Sequence, residues 1–246
     1  MDNKAAPNKD NRLTPYQYVD IVTVIFTLVL VISNIASSAK IIDWGISIFN
    51  IPLSFDAGTL LFPISYIFGD ILTEVYGFKR ARRIIWIGFI SLVFSALIFW
   101  LIRIMPGEAT WQATVGQEAF DKVLGGMSHG GIVAASILGY LAGSFSNAII
   151  MSLMKLLTKG KYLWMRTIGS TLVGELVDTS VFILVASLAG IFPWILFYSL
   201  VLSNYIFKVA VEVLMTPLTY KIVNFLKTKE AVDIFDDRKN LNPFAF

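Results

Sequence analysis

The chain of 246 residues has no cysteine and a single histidine, His129. The first absence removes disulfides, thiolate metal sites and cysteine nucleophiles together; the second removes any multi-histidine metal centre. Charge is scarce as well: Asp, Glu, Lys and Arg make up 15% of the residues, against roughly a quarter in soluble domains. There is no H-E-x-x-H, no G-x-S-x-G and no Walker glycine loop, so the chain reads as a non-enzyme without metal or cofactor. The basic residues fall between apolar runs and not along one face, which argues against direct nucleic-acid binding.

What remains is hydrophobicity. Apolar residues make up 56% of the chain and the mean hydropathy is +0.71. Six apolar segments stand out, at 18–39, 57–76, 84–105, 130–154, 167–191 and 195–223. A helix needs about 20 such residues to cross the hydrocarbon core, and helices are what satisfy the backbone there. The fold class that follows is an all-α integral membrane protein with six transmembrane helices. Residues 1–16 form an N-terminal tail, 17–226 the membrane domain and 227–246 a C-terminal tail; both tails read as loose polar segments. The last span is long enough to tilt, or to begin as an interfacial turn near Phe192-Pro193-Trp194. Ala36-Ser37-Ser38-Ala39 resembles a signal-peptidase site, but the run before it is long enough to span, and a retained first helix is the reading taken.

Charge fixes the expected orientation. With a cytoplasmic N-terminus, every Lys and Arg lies inside except Lys40, Arg103 and Lys122, which fall outside, and Lys208, which lies within a helix. That segregation follows the positive-inside rule, places both termini in the cytoplasm and supports the count of six. Trp44, Trp111 and Trp194 fall near outer boundaries and Trp164 near an inner one, as an interfacial belt would have them.

An internal echo accompanies this. The first segment carries Ser33-Asn34 and the fourth Ser146-Asn147; the second carries Asp70 and Glu74, the fifth Glu175 and Asp178. Two three-helix repeats would have to be inverted relative to each other, a common plan of secondary transporters with the site at the repeat interface. Chance recurrence of common polar residues fits the echo equally well.

Ionisable residues within the spans carry the most chemistry. Each costs about 2.5–3.5 kcal/mol near a helix centre, so Asp70, Glu74, Glu175, Asp178, Lys208 and Glu212 together represent roughly 15 kcal/mol or more, comparable to a domain's stability. They must face the interior, pair, or line a wet cavity. Asp70/Glu74, Glu175/Asp178 and Lys208/Glu212 are three or four residues apart, so each pair shares a helix face. Glu74 lies near a helix end, where Arg166 or the Lys79 cluster can pair with it; Glu212 joins these as a helix-pairing or gating charge. Two readings fit the deeper group of Asp70, Glu175, Asp178 and Lys208: a structural bridge holding three helices, or a site for a polar solute.

Pro63 and Gly69 flank Ser65 and Tyr66 ahead of Asp70, which predicts a kink or local unwinding in the second helix. Gly131, Ala135, Gly139 and Gly143 form a small-residue packing stripe. The stripe Ser170, Gly174, Asp178 ends on a carboxylate, which reads as space cleared for a ligand. His129, among glycines at a helix mouth, reads as a surface or capping residue, with a pH-sensitive role as the other reading.

The stretches Ser33-Asn34-Ile35-Ala36-Ser37-Ser38-Ala39-Lys40, Phe55-Asp56-Ala57-Gly58-Thr59-Leu60-Leu61-Phe62-Pro63-Ile64-Ser65-Tyr66 and Gly69-Asp70-Ile71-Leu72-Thr73-Glu74-Val75-Tyr76-Gly77 resemble the queuosine-precursor transporter family, earlier catalogued as vitamin-uptake transporters. Gly174-Glu175 and Asp178-Thr179 look like its second signature, and the likeness runs over 19–226. The resemblance implies import of 7-deazaguanine precursors of a tRNA base (the 7-cyano form, the 7-aminomethyl form or queuine) across a bacterial inner membrane. Asp70, Glu175 or Asp178 would accept the adjacent N–H donors of a guanine-like edge. Asn34 or Asn147 would answer its carbonyl, Tyr66 would offer a stacking face, and Lys208 would neutralise the empty site. Two other functions remain open: the substrate-binding subunit of an energy-coupling-factor vitamin importer, which needs an energising partner, and a non-transporting membrane assembly or enzyme subunit. Expected partners are the small-molecule substrate and lipid; a homo-oligomer is compatible with the sequence.

Overall fold

The computed structural model describes residues 16–48, 51–128, 130–237 and 241–245. The expectations for His129, Lys4, Lys9, Arg12, Arg238 and Lys239 therefore lie outside the described residues. Its helices are α1 (Val19–Ala39), α2 (Phe62–Tyr76), α3 (Phe78–Ile104), α4 (Ala109–Thr114), α5 (Gly116–Leu124), α6 (Gly130–Leu157), α7 (Leu163–Leu188) and α8 (Phe197–Glu230). An antiparallel hairpin, β1 (Ile41–Ile48) and β2 (Ile51–Asp56), joins α1 to a 3-10 turn at Ala57–Leu60.

Among the described residues, five stretches are long and apolar enough to cross a membrane: α1, α3, α7, and those containing α6 and α8. The second expected span differs. It is no single helix over 57–76 but the 3-10 turn followed by α2, whose 15 residues rise about 22 Å, short of the roughly 30 Å hydrocarbon core. Pro63 explains where α2 starts: it sits in the first helical turn, where its missing N–H lacks an intrahelical partner anyway, so it begins the helix and does not kink it. Helix α2 then runs unbroken through Gly69.

Direction fixes the role of this short helix. Both α1 and α3 start at the end of the bundle where α8 stops, since the Tyr18 N–H bonds Glu230 and the Phe78 N–H bonds Asp236. Both finish beside the α5 region, through Ser38 with Val123 and Arg103 with Asp121. The chain must return between them, and α2 makes that return. Helices α6, α7 and α8 then run back, forth and back, opposite in sense to α1, α2 and α3. We call the two ends the hairpin end and the tail end.

The bundle holds buried charges beside its apolar core and turns an apolar surface outward. Asp70, Glu74, Arg166, Glu175 and Glu212 are buried, while Ile21, Val24, Leu28 and Ile32 of α1 and Ile90, Phe94 and Leu97 of α3 are exposed. Water would penalise that surface; lipid does not. Helix α2 sits at the centre, against α1, α3, α6 and α8, and α6 packs along α7. The α6–α7 approach depends on glycine. A Cβ on Gly143 would lie 2.5 Å from the Asp178 Cβ, and one on Gly174 would lie 2.7 Å from the Asn147 Cβ. Gly174 therefore leaves room for α6 and not for a ligand, a correction to the expectation for the α7 stripe.

The C-terminal segment is not loose. Asp236 accepts the Phe78 N–H at the start of α3 at 2.9 Å, Arg82 donates to the Asn242 carbonyl at 2.7 Å and the Trp86 indole to the Pro243 carbonyl at 3.0 Å. Unpaired N–H groups at a helix N-terminus favour such a carboxylate. Residues after α8 thus strap α3 and α6 at the tail end.

Candidate functional site

A cavity of about 490 Å³ opens at the hairpin end, within the range of small-molecule sites. Its rim includes Ser37 and Lys122; its walls include Asn34 of α1, Ser136 and Tyr140 of α6, Phe182 of α7 and Asn204 of α8; Phe62, Asp178, Thr179 and Lys208 line it at depth. Spacing explains this set. Asp178, Thr179 and Phe182 lie within just over one turn of α7, and Asn204 and Lys208 are four apart on α8, so each group presents one face.

At the floor, Lys208 Nζ lies 2.6 Å from Asp178 Oδ2 and 3.2 Å from Glu175 Oε2, and 3.9 Å from the centre of the Phe62 ring. Two carboxylates and an aromatic face share one cation. The ion pair joins α7 to α8, and the Phe62 ring brings α2 against the same lysine. Asp178 also lies beside Tyr66, whose buried hydroxyl has no hydrogen-bond partner. Higher on the wall, Asn34 Oδ1 accepts from the Ser136 hydroxyl at 2.6 Å, and its Nδ2 donates to the Leu30 carbonyl.

Deeper, between α2 and α6, the Asn147 amide donates to Asp70 Oδ1 at 2.7 Å, leaving Asp70 Oδ2 and Asn147 Oδ1 without partners. Asn147 and Tyr66 line a second hollow of only about 20 Å³, room for one water.

At the tail end a second charge cluster gathers around the buried Glu74. Arg166 clasps Glu74 through both oxygens, Nη2 to Oε1 at 2.7 Å and Nε to Oε2 at 3.1 Å, and also donates to Thr158 and the Lys161 carbonyl. Lys227 reaches Glu74 at 2.6 Å and Asp233 at 2.8 Å. Lys155, 2% exposed, donates to the Glu74 and Ile234 carbonyls and to Asp233 at 2.5 Å. Burial pushes the Asp233 carboxyl up, but hydrogen bonds from Lys155 and Lys227 outweigh it and hold the group below its usual range. The expected Glu74–Arg166 pair is thus present, joined by Lys155 and Lys227, which the sequence placed only among the basic residues of the cytoplasmic side, and by Asp233.

Residues 56–222, more than half of the chain, match the family model described as "Putative vitamin uptake transporter". The chain belongs to that family. It is 26% identical over 174 residues to a "Probable queuosine precursor transporter" of Bacillus subtilis (strain 168), covering 70% of this chain and 73% of that one. It is 25% identical over 169 residues to a protein of the same description from Haemophilus influenzae, covering 68% and 67%. No solved structure matches it. The motif resemblance and the matches agree on a membrane transporter of this family.

Within this transporter the expected site residues divide by depth. Asn34, Asp178 and Lys208 line the large cavity, and Glu175 stands behind them on Lys208. Tyr66, Asp70 and Asn147 lie in the packed layer beneath it, and Glu212 is buried with neither carboxylate oxygen partnered. Sequence reading missed Phe62, Ser136, Phe182 and Asn204. The four-residue spacing of Asn204 and Lys208 was the available signal; Phe62 carried none, because an aromatic beside a proline looks like any apolar residue.

Proposed function

We propose that this transporter imports 7-deazaguanine precursors of queuosine across a bacterial inner membrane, with both termini and the tail end in the cytoplasm. The observation that carries this reading is the cavity floored by the Asp178–Lys208 pair. Asp178 accepts the adjacent N–H donors of a guanine-like edge, Asn34, Asn204 or Ser136 meets the carbonyl, and Phe62, Tyr140 and Phe182 supply flat apolar surface. The charge distribution supports the orientation, and the printed descriptions of the relatives support the substrate class. The opposite directions of α1–α3 and α6–α8 fit two inverted repeats, with the site between them.

In this reading, solute reaches Asp178 from outside, takes the place of Lys208 on it, and leaves when the tail-end cluster separates. The test is queuosine content of tRNA in a host that cannot make the base, with and without the protein, given the 7-cyano form, the 7-aminomethyl form and queuine in turn. Import of at least one, lost in Asp178→Asn at equal protein level, is the expected result. Queuosine that never depends on the protein contradicts it. Repeating the assay in a host lacking energy-coupling-factor ATPases separates an autonomous carrier from a subunit that needs an energising partner.

A further inference from the structure

Asp70 on α2 and Glu212 on α8 stand apart from both ion-paired clusters. They are 0% and 1% exposed, and neither takes part in any salt bridge among the described residues, whose buried bridges centre on Glu74, Asp233, Glu175 and Asp178. Asp70 has one oxygen on Asn147 and one unpartnered; Glu212 has both unpartnered. The two lie within electrostatic reach of each other where α2 packs on α8. Around Asp70 stand Asn147 of α6, Ser170 of α7 and Glu74 on its own helix. Around Glu212 stand Asp70 of α2 and Glu175 of α7, with the Tyr66 hydroxyl also in range.

Two neighbouring carboxylates with no cation at salt-bridge distance, sealed from water in a lipid-embedded bundle, do not both stay ionised. An uncompensated buried charge costs several kcal/mol, and the usual resolution is a bound proton, as in paired carboxylates that share one. We propose that Asp70 and Glu212 form a proton-binding site that couples solute movement to proton movement. The coupling part rests on the transport reading above; the proton site itself does not.

The geometry supplies a connection. Glu212 lies one turn after Lys208 on the same face of α8, within i, i+4 reach. With Glu212 protonated, Lys208 keeps the two partners it has in the structure, Asp178 and Glu175. When Glu212 loses its proton, the new carboxylate competes for the same ammonium and draws it from Asp178, freeing that carboxylate for solute. Asp70 carries the effect to α6: it holds Asn147, which packs against Gly174, the neighbour of Glu175 on α7. Proton loss at the site and solute capture at the floor are thus linked through one lysine.

The full chain reconstituted in lipid vesicles tests both parts. Infrared spectra at neutral pH should show a protonated-carboxyl C=O stretch that weakens in Glu212→Gln and in Asp70→Asn. Because solute is captured as the proton leaves, the two exchange across the membrane, so wild-type vesicles with an acidic interior should accumulate 7-cyano-7-deazaguanine, 7-aminomethyl-7-deazaguanine or queuine above the equilibrium level, and a protonophore should abolish the excess. Glu212→Gln, whose side chain cannot ionise, should lose that accumulation and the rise of solute counterflow with pH, keeping at every pH only the slow counterflow of the protonated site. An absent carboxyl band, a band unchanged in both variants, or accumulation that follows sodium and ignores pH overturns the proposal. Absence of wild-type counterflow with all three compounds sinks the substrate reading instead, and the infrared band still decides whether the proton site exists.

Discussion

Glu74 and Asp178 are both interior carboxylates paired with cations, yet their settings are opposite. Glu74 has no exposed surface, three cations around it and a C-terminal strap laid over the cluster. Asp178 shares a single lysine with Glu175 and lines a cavity of about 490 Å³. The first arrangement locks helices together; the second leaves hydrogen-bonding capacity facing a hollow. Similar pairs, on α2 and on α7, thus tie helices together at one end of the bundle and face a cavity at the other. A carrier needs both, with the roles of the ends exchanged during its cycle.

The comparison breaks most visibly at the seal. Glu74→Gln leaves Arg166, Lys155 and Lys227 without their shared anion, and removing one partner of a buried pair costs about 3–5 kcal/mol. Thermal unfolding in detergent should show a large drop. Arg166→Lys should share part of it, because an ammonium cannot reproduce the two-point clasp. At the floor, Asp178→Asn leaves Lys208 its bridge to Glu175, so unfolding should fall less than at the seal while deazaguanine binding weakens. Loss of a charged hydrogen bond of about 1.5–3 kcal/mol corresponds to roughly ten- to hundredfold in Kd, readable by calorimetry.

Between the two clusters, Gly143→Ala would set a methyl 2.5 Å from the Asp178 Cβ and 2.7 Å from the Tyr66 hydroxyl. Overpacking of this kind costs about 1–3 kcal/mol, and unfolding and binding should fall together because α6 and α7 must separate.

The smallest effect belongs to the strap. Asp233 is depressed in the folded state, so its stabilisation is full above the unfolded carboxylate pKa and is lost as pH falls through the folded one. Its side chain is 44% exposed, so solvent screening holds the effect of Asp233→Asn to under about 1 kcal/mol. Unfolding of the variant should differ from wild type near neutrality and converge with it in acid.

How far the sequence carried varies by element. The long helices were legible because hydropathy over about 20 residues is decided locally. Helix α2 was legible as apolar but not as short, since where Pro63 falls within a helix is a matter of position and not of composition. The hairpin and the amphipathic α5 went unread, hidden between spans whose signal dominates their surroundings. Lys155 and Lys227 were counted correctly as charges on one side, but counting does not separate a solvated lysine from one buried on Glu74. The strap was least visible: its polar composition reads as a loose tail, and its partners, the Phe78 N–H, Arg82 and Trp86, lie more than 150 residues away in sequence. Charge within the apolar runs pointed to α2, α7 and α8, whose ionisable residues do lie inside the bundle, while the division between the cavity floor and the layer beneath it needed coordinates.

Because the chain has no cysteine, any cysteine introduced is the sole label, and side-specific accessibility tests the central asymmetry directly. In intact cells a membrane-impermeant maleimide added outside should label Ser136→Cys on the cavity wall, and 7-deazaguanines should slow that labelling. Ser152→Cys, buried in the tail half of α6, should stay unlabelled. Labelling of Ser152→Cys as fast as Ser136→Cys, or labelling of Ser136→Cys that no deazaguanine slows, would contradict an outward-open receptor above a closed seal.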